Sequence, residues 1–175
     1  MVISPVSGSQ GVLEKAPNDF NAGWTPYKAS VTSLSFTGTI KLPTDSSGLF
    51  STFMKVENID LHNVDTSDVT NMERLFSGNL KLKSLDLRGL DTSKVTNMNR
   101  MFAYLPMLED LNISQLNTSK VTDMSSMFER VSKLKNLNLE SFDTRNVTNM
   151  SKMFYYMYSI ENLNVSRFDT SKVTN

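Results

Sequence analysis

"LDTSKVTNM", residues 90–98, is a polar turn that runs into an apolar residue, and the chain writes it repeatedly. Earlier it reads "VDTSDVTNM" (64–72); later it reads "LNTSKVTDM" (116–124) and "FDTRNVTNM" (142–150), with a last copy, "FDTSKVTN", at 168–175. The acidic or amide residue falls at Asp65, Asp91, Asn117, Asp143 and Asp169, a constant step of 26 residues. Phe50, Phe76, Phe102, Phe128 and Phe154 keep the same step, as do Val69, Val95, Val121, Val147 and Val173. A fixed period of this length is the signature of a repeat architecture, and it decides the fold before any local reading.

One coil shows what is repeated. In "LKSLDLRGLDTSKVTNMNRMFAYL" (82–105), Leu85 and Leu87 alternate with polar neighbours, the period of a half-buried strand. Asp91-Thr92-Ser93 is turn chemistry, in which the carboxylate accepts from a backbone amide two residues on. Met98, Met101, Phe102 and Leu105 then fall at i, i+3, i+4 and i+7, which predicts a short helix with Thr96 or Asn97 as its N-cap. The expected fold is therefore an α/β repeat solenoid, leucine-rich-repeat-like, with one short parallel strand and one short helix per 26-residue coil. Leu82, Leu85, Leu87, Leu90, Val95, Met98, Met101, Phe102 and Leu105 are its inward residues. Burying them, at about 1.5–3 kcal/mol each, does not offset the roughly 1–2 kcal/mol per residue of backbone ordering. A coil must therefore stack on its neighbours to be stable. The stacked corners predict that Asp65, Asp91, Asn117, Asp143 and Asp169 form a structural ladder.

Two regions divide the chain. Residues 1–30 mix Pro, Gly, Ser and Asn without a sustained period and read as a flexible N-terminal segment. Within them "FNAGWTPY" (20–27) reads as an N-terminal cap over the exposed core. Residues 31–175 read as the solenoid, about five coils, truncated at the C-terminal end. Its first coil, "LSFTGTIKLPTDSSGLF" (34–50), is atypical, with one residue deleted and Pro43 in the Val69 column.

Eighteen basic residues balance eighteen acidic ones, which leaves no electrostatic footprint for nucleic acid. No apolar run approaches the ~20 residues needed to span a bilayer, so no membrane insertion is expected. Without cysteine there is no disulfide, thiolate metal site or cysteine nucleophile. No cofactor and no metal are expected. The methionine columns (72, 98, 124, 150 and 101, 127, 153) read as core rather than as soft-metal ligands. One Asp or Asn per turn is sparse for calcium, whose shell takes six to eight oxygens. His62 is the only histidine and no nucleophile motif accompanies it, so the chain reads as a non-enzyme.

The pattern Leu82-x-x-Leu85-x-Leu87-x-x-Leu90 resembles the leucine-rich repeat, with Leu or Phe where many such repeats carry Asn or Cys. The unit "FDTRNVTNMSKMFYYMYSIENLNVS" (142–166) resembles more closely the BspA-type repeat of bacterial surface proteins, marked by a DTS-x-VT-x-M-x-x-MF string. That resemblance covers about residues 34–175. It implies an extracellular protein on the bacterial cell surface or wall, secreted, acting as an adhesin. It implies no catalytic residues. The expected partner is a host or extracellular-matrix protein or glycan, bound by a monomer.

Two surfaces are candidates for that contact. On the strands, the polar positions read Asn58-Asp60-His62, Ser84-Asp86-Arg88, Asp110-Asn112-Ser114 and Asn136-Asn138-Glu140, with Asn162-Asn164-Ser166 after them. The middle column is constantly Asp or Asn while the outer two vary, which suits specificity grafted onto a regular scaffold. The alternative surface is a column of Tyr104, Arg130 and Tyr156, flanked by Tyr155 and Tyr158, because Tyr and Arg are favoured interface anchors. A structural spacer that projects another domain from the cell wall, with no ligand of its own, is the competing function.

Overall fold

A computed structural model describes residues 26–175, together with the backbone of Val2–Ile3 and Gly11–Val12. Ten short strands follow in chain order: β1 (Val2–Ile3), β2 (Gly11–Val12), β3 (Ser33–Phe36), β4 (Ile40–Lys41), β5 (Asn58–Ile59), β6 (Val64–Asp65), β7 (Ser84–Asp86), β8 (Asp110–Asn112), β9 (Asn136–Leu137) and β10 (Asn162–Leu163). Every pairing is parallel: β1-β3-β5, β2-β4-β6, β7-β8 and β9-β10. The 26-residue step is visible in the register, with Leu85 opposite Leu111 and Leu137 opposite Leu163. In the first coil that step shortens by one residue and then by two. Leu34 pairs with Ile59 and Ile40 with Val64, and the full step returns where Asp45 bridges Asn71.

The inward residues form one continuous core. All nine expected for the coil at 82–105 are buried. Phe50, Phe76, Phe102, Phe128 and Phe154 stack face to face with ring centroids 5.5–6.0 Å apart. Phe36 starts this spine, tilted against Phe50. In the second coil the Leu105 column holds Asn79, which is fully buried and fully used. Its Oδ1 accepts from the Phe53 amide, and its Nδ2 donates to the carbonyls of Phe50 and Phe76, each at 2.8 Å.

The helix expected over 98–105 does not form, and the α/β solenoid with a helix per coil is replaced by an all-β repeat. Among the described residues there is no α-helix. The amides of Met98, Arg100, Phe102 and Tyr104 donate to Asp123, Ser125, Met127 and Glu129 of the next coil, at 2.7–3.0 Å. Between these bonds the chain folds into tight turns, with Met101 N–H donating to Met98 O and Ala103 N–H to Arg100 O. Arg100 and Tyr104 sit at φ of 53° and 60°, in the left-handed region that a right-handed helix never visits. The physical reason is spacing. Coils that share backbone hydrogen bonds lie ~4.8 Å apart, whereas a helix with its side chains is about 10–12 Å across. A third ladder on this side, Asp45–Asn71–Asn97–Asp123–Asn149, holds the coils at the sheet distance and leaves no room for a helix. Asn97 does accept from a backbone amide, that of Asn99 at 2.9 Å, but a turn follows it.

Of the expected cap, residues 20–25 lie outside the described residues, and so does most of the flexible segment assigned to 1–30. The described part shows Lys28 buried, its ammonium donating to Ser51 O and Thr52 Oγ1 and lying 5.2 Å from the centre of the Phe53 ring.

Lys41, Asp68 and Lys94 belong to three successive coils, and the Asp68 carboxylate joins them at 2.6 and 2.8 Å. Hydrogen bonds from Lys41 and then Lys94 hold its pKa down at about 2, from an ordinary 3.8. Because the folded value is the lower one, this stabilisation is complete above about pH 4 and is lost as pH falls through 2. Asp68→Asn should therefore lower stability at neutral pH, and its deficit against the parent should shrink on acidification across that window. A deficit that stays constant to pH 2 in denaturant melts would remove the charge from this role.

Candidate ligand-binding surface

The strands β5, β7 and β8 put their polar side chains on one open groove of about 910 Å³. Alternation along each strand sends Leu85 inward and Ser84 and Asp86 outward. All the strand-surface residues singled out from the sequence in these coils line the groove: Asn58, Asp60, His62, Ser84, Asp86, Arg88, Asp110, Asn112 and Ser114, with Asn138 at its far end. Asn136 and Glu140 lie instead on a second hollow of about 250 Å³, with Asn138, Asn162, Asn164 and Arg167. Three carboxylates (Asp60, Asp86, Asp110) face one guanidinium in the larger groove. Arg88 forks onto Asp86 at 2.6–3.1 Å and, with its own amide, holds that carboxyl below the ordinary range. The surplus is negative, and amide, hydroxyl and carboxylate side chains share the walls with Ile59, Leu61, Leu85, Leu111 and Ile113.

The constant middle column has a structural cause. Asp60, Asp86, Asn112, Asn138 and Asn164 each accept, through Oδ1, the amide of the residue two positions on, at 2.9–3.3 Å. Asp or Asn is required there because only a short side chain with an acceptor oxygen closes this turn. The outer columns carry no such duty and are free to differ, so any specificity lies in His62, Arg88, Ser114 and Glu140 and in the residues at the strand starts. His62 is tied to Asp60 only through its backbone amide.

The same turn recurs at the opening corner. Ser67, Ser93, Ser119, Arg145 and Ser171 amides donate to Asp65, Asp91, Asn117, Asp143 and Asp169, at 2.9–3.2 Å. These side chains thus bond within their own coil, and the link between coils at this corner is threonine. Thr66, Thr92, Thr118 and Thr144 are buried, and each Oγ1 donates to the carbonyl of the next coil's Asp or Asn at 2.9–3.0 Å. Thr92, Thr118 and Thr144 also accept that residue's amide at 2.7–2.8 Å. The sequence hides the threonine column because a Thr inside "DTS" reads as one more polar turn residue. Its signal was strict recurrence beside an already strict aspartate. Asp91→Ala should cost about 0.5–1.5 kcal/mol, one exposed hydrogen bond, while Asp91→Asn keeps the acceptor and should be near neutral in thermal melts.

On the turn side, Tyr104, Arg130 and Tyr156 stack in one column. The Arg130 guanidinium lies 5.6 Å from the centre of the Tyr104 ring and 4.7 Å from that of Tyr156. Tyr155 and Tyr158 pack around Tyr156 at 3.9 and 5.4 Å between ring centres, and Tyr158 is 75% exposed. Among the described residues, no group of three or more His, Cys, Asp or Glu converges as a metal site, and no helix is long and apolar enough to cross a membrane.

Parallel-paired 26-residue coils, closed by Asx turns and carrying an open polar groove, define a β-repeat protein. The chain belongs to the family described as Mycoplasma protein of unknown function, DUF285, which matches residues 44–138 and, overlapping them, 79–175. No curated protein and no solved structure matches the chain.

Proposed function

We propose that this chain is a non-catalytic recognition module of BspA type, displayed outside a bacterial cell, that binds a host or matrix protein or a glycan in the strand-side groove. One observation carries the proposal: in three successive coils the positions free to vary, because no turn depends on them (Asn58, His62, Ser84, Arg88, Asp110 and Ser114), line one groove of about 910 Å³. The surplus of carboxylate favours a ligand with cationic or hydroxyl donors, such as a basic peptide stretch or a sugar hydroxyl face. The stack is solenoid-like in this reading, and each coil contributes one polar rung.

The test is an array of matrix proteins, mucins and glycans probed with this chain, followed by the double variant Asp86→Ala/Arg88→Ala on any ligand found. Binding should weaken by about tenfold or more, equivalent to ~1.4 kcal/mol. The melting transition should shift by only about 0.5–1.5 kcal/mol, as expected for the exposed turn bond lost with Asp86. Full binding by the double variant would remove the groove from the function. Failure of every probe would favour the spacer reading, to which the continuous phenylalanine spine lends support.

A further inference from the structure

Two columns on the turn side hold left-handed backbone in every coil: Gly48, Arg74, Arg100, Ser126 and Lys152, and four residues later Thr52, Gly78, Tyr104, Arg130 and Tyr156. All lie at φ between 53° and 76°, imposed by the alternate turns and inter-coil bonds. Glycine adopts this conformation freely and stands there once in each column. A bulky residue is strained there, and such outliers are worth explaining by what the side chain does. Tyr104, Arg130 and Tyr156 accept the strain in three successive coils, and their side chains meet in the ring–guanidinium–ring stack.

The stack leaves the guanidinium available. Its side chain is 51% exposed, and the nearest carboxylate, buried Glu129, is 3.9 Å from Nε and already accepts from the Tyr104 hydroxyl. Among the described residues no acceptor hydrogen-bonds the Arg130 guanidinium. In the adjacent column Arg74 lies 3.7 Å from Glu73, whereas no ion pair of Arg100 or Lys152 is seen among the described residues. Elsewhere the rungs match cations to carboxylates across coils, as in Lys83–Glu57 and Lys133–Glu109. The Arg130 guanidinium is thus half-exposed beside tyrosine, with one long carboxylate contact and no hydrogen bond among the described residues.

We propose that the Tyr104–Arg130–Tyr156 stack is a docking site for an acidic segment of a partner protein, with Arg130 receiving a carboxylate. A planar guanidinium held between two rings is pre-organised for a bidentate carboxylate contact. Exposed Tyr155 and Tyr158 add apolar area for the neighbouring side chains of that segment, and Tyr with Arg is the usual anchor chemistry of protein interfaces. Arg130 packs against the rings of Tyr104 and Tyr156, and this occupied ring surface disfavours a sugar laid face-on against them. This site is separate from the strand-side groove and does not depend on it.

The test uses Arg130→Gly, which removes the side chain while relieving the left-handed strain, so the variant should fold at least as well as the parent. A fluorescein-labelled peptide of alternating Glu and Phe is titrated against both, with a Lys/Phe peptide as control. Binding of the acidic peptide should fall at least tenfold in Arg130→Gly, fall less in Arg130→Lys, and be unchanged in Asp86→Ala/Arg88→Ala; the Lys/Phe peptide should not bind this site. Equal binding by the parent and Arg130→Gly, or no binding of the acidic peptide, overturns the proposal. A heparin fragment that displaces the peptide more effectively than unlabelled peptide does also overturns it, in favour of a polysaccharide.

Discussion

Phe102→Ala and Phe128→Ala should each destabilise the chain by about 3–5 kcal/mol, the cost of removing a fully buried aromatic ring and leaving a cavity. Each ring packs on both sides, Phe102 against Phe76 at 6.0 Å and Phe128 at 5.5 Å. A truncation therefore strips contacts from three coils at once. Phe50→Ala should cost as much, because Phe36 covers the ring on its far side and Phe50 is itself fully buried. Phe154→Ala should cost clearly less, since Phe154 is only partly buried and has Phe168, tilted at 6.5 Å, on its outer side. Denaturant midpoints for the four variants check this ordering, and an equal loss at Phe154 would contradict it.

Thr118→Val should cost about 2–4 kcal/mol, although valine has nearly the same shape. Thr118 Oγ1 is buried, donates to Asp143 O at 3.0 Å and accepts Asp143 N–H at 2.8 Å. Valine would leave a donor and an acceptor without partners in the joint between two coils, at about 1–3 kcal/mol per buried group. Thr118→Ser keeps the hydroxyl and should recover most of the loss. If Val and Ser melt alike, the threonines matter for packing and the hydrogen-bonded joint is not the stabilising element.

The Phe, Met and Val columns and the inward face of each strand were legible because burial follows the 26-residue period directly. The spacing does not separate helix from turns here, because Met98, Met101, Phe102 and Leu105 are inward in either conformation. Ala103, however, is also fully buried, and it would lie on the opposite side of a helix from Met98. Gly48 and Gly78 were the further signal, each standing in a column that needs left-handed backbone. Neither glycine has a counterpart in other coils, so position alone did not expose the rule. Alternation along the strands shows which residues face the groove, whereas the constancy of Asp86 and its column has a structural cause that spacing does not reveal. Sequence shows that a position is constant and not that its side chain bends back to its own chain. The Tyr104–Arg130–Tyr156 column was visible by spacing; the ring–cation contact needed coordinates.

On the turn side, backbone hydrogen bonds run between coils rather than within a helix. Scalar couplings across hydrogen bonds, measured by NMR on uniformly labelled protein, test it directly. Couplings are expected from the Arg100, Phe102 and Tyr104 amides to the carbonyls of Ser125, Met127 and Glu129. A coupling from the Phe102 amide to the Met98 carbonyl, with none to Met127, would restore the helix and contradict the fold described here.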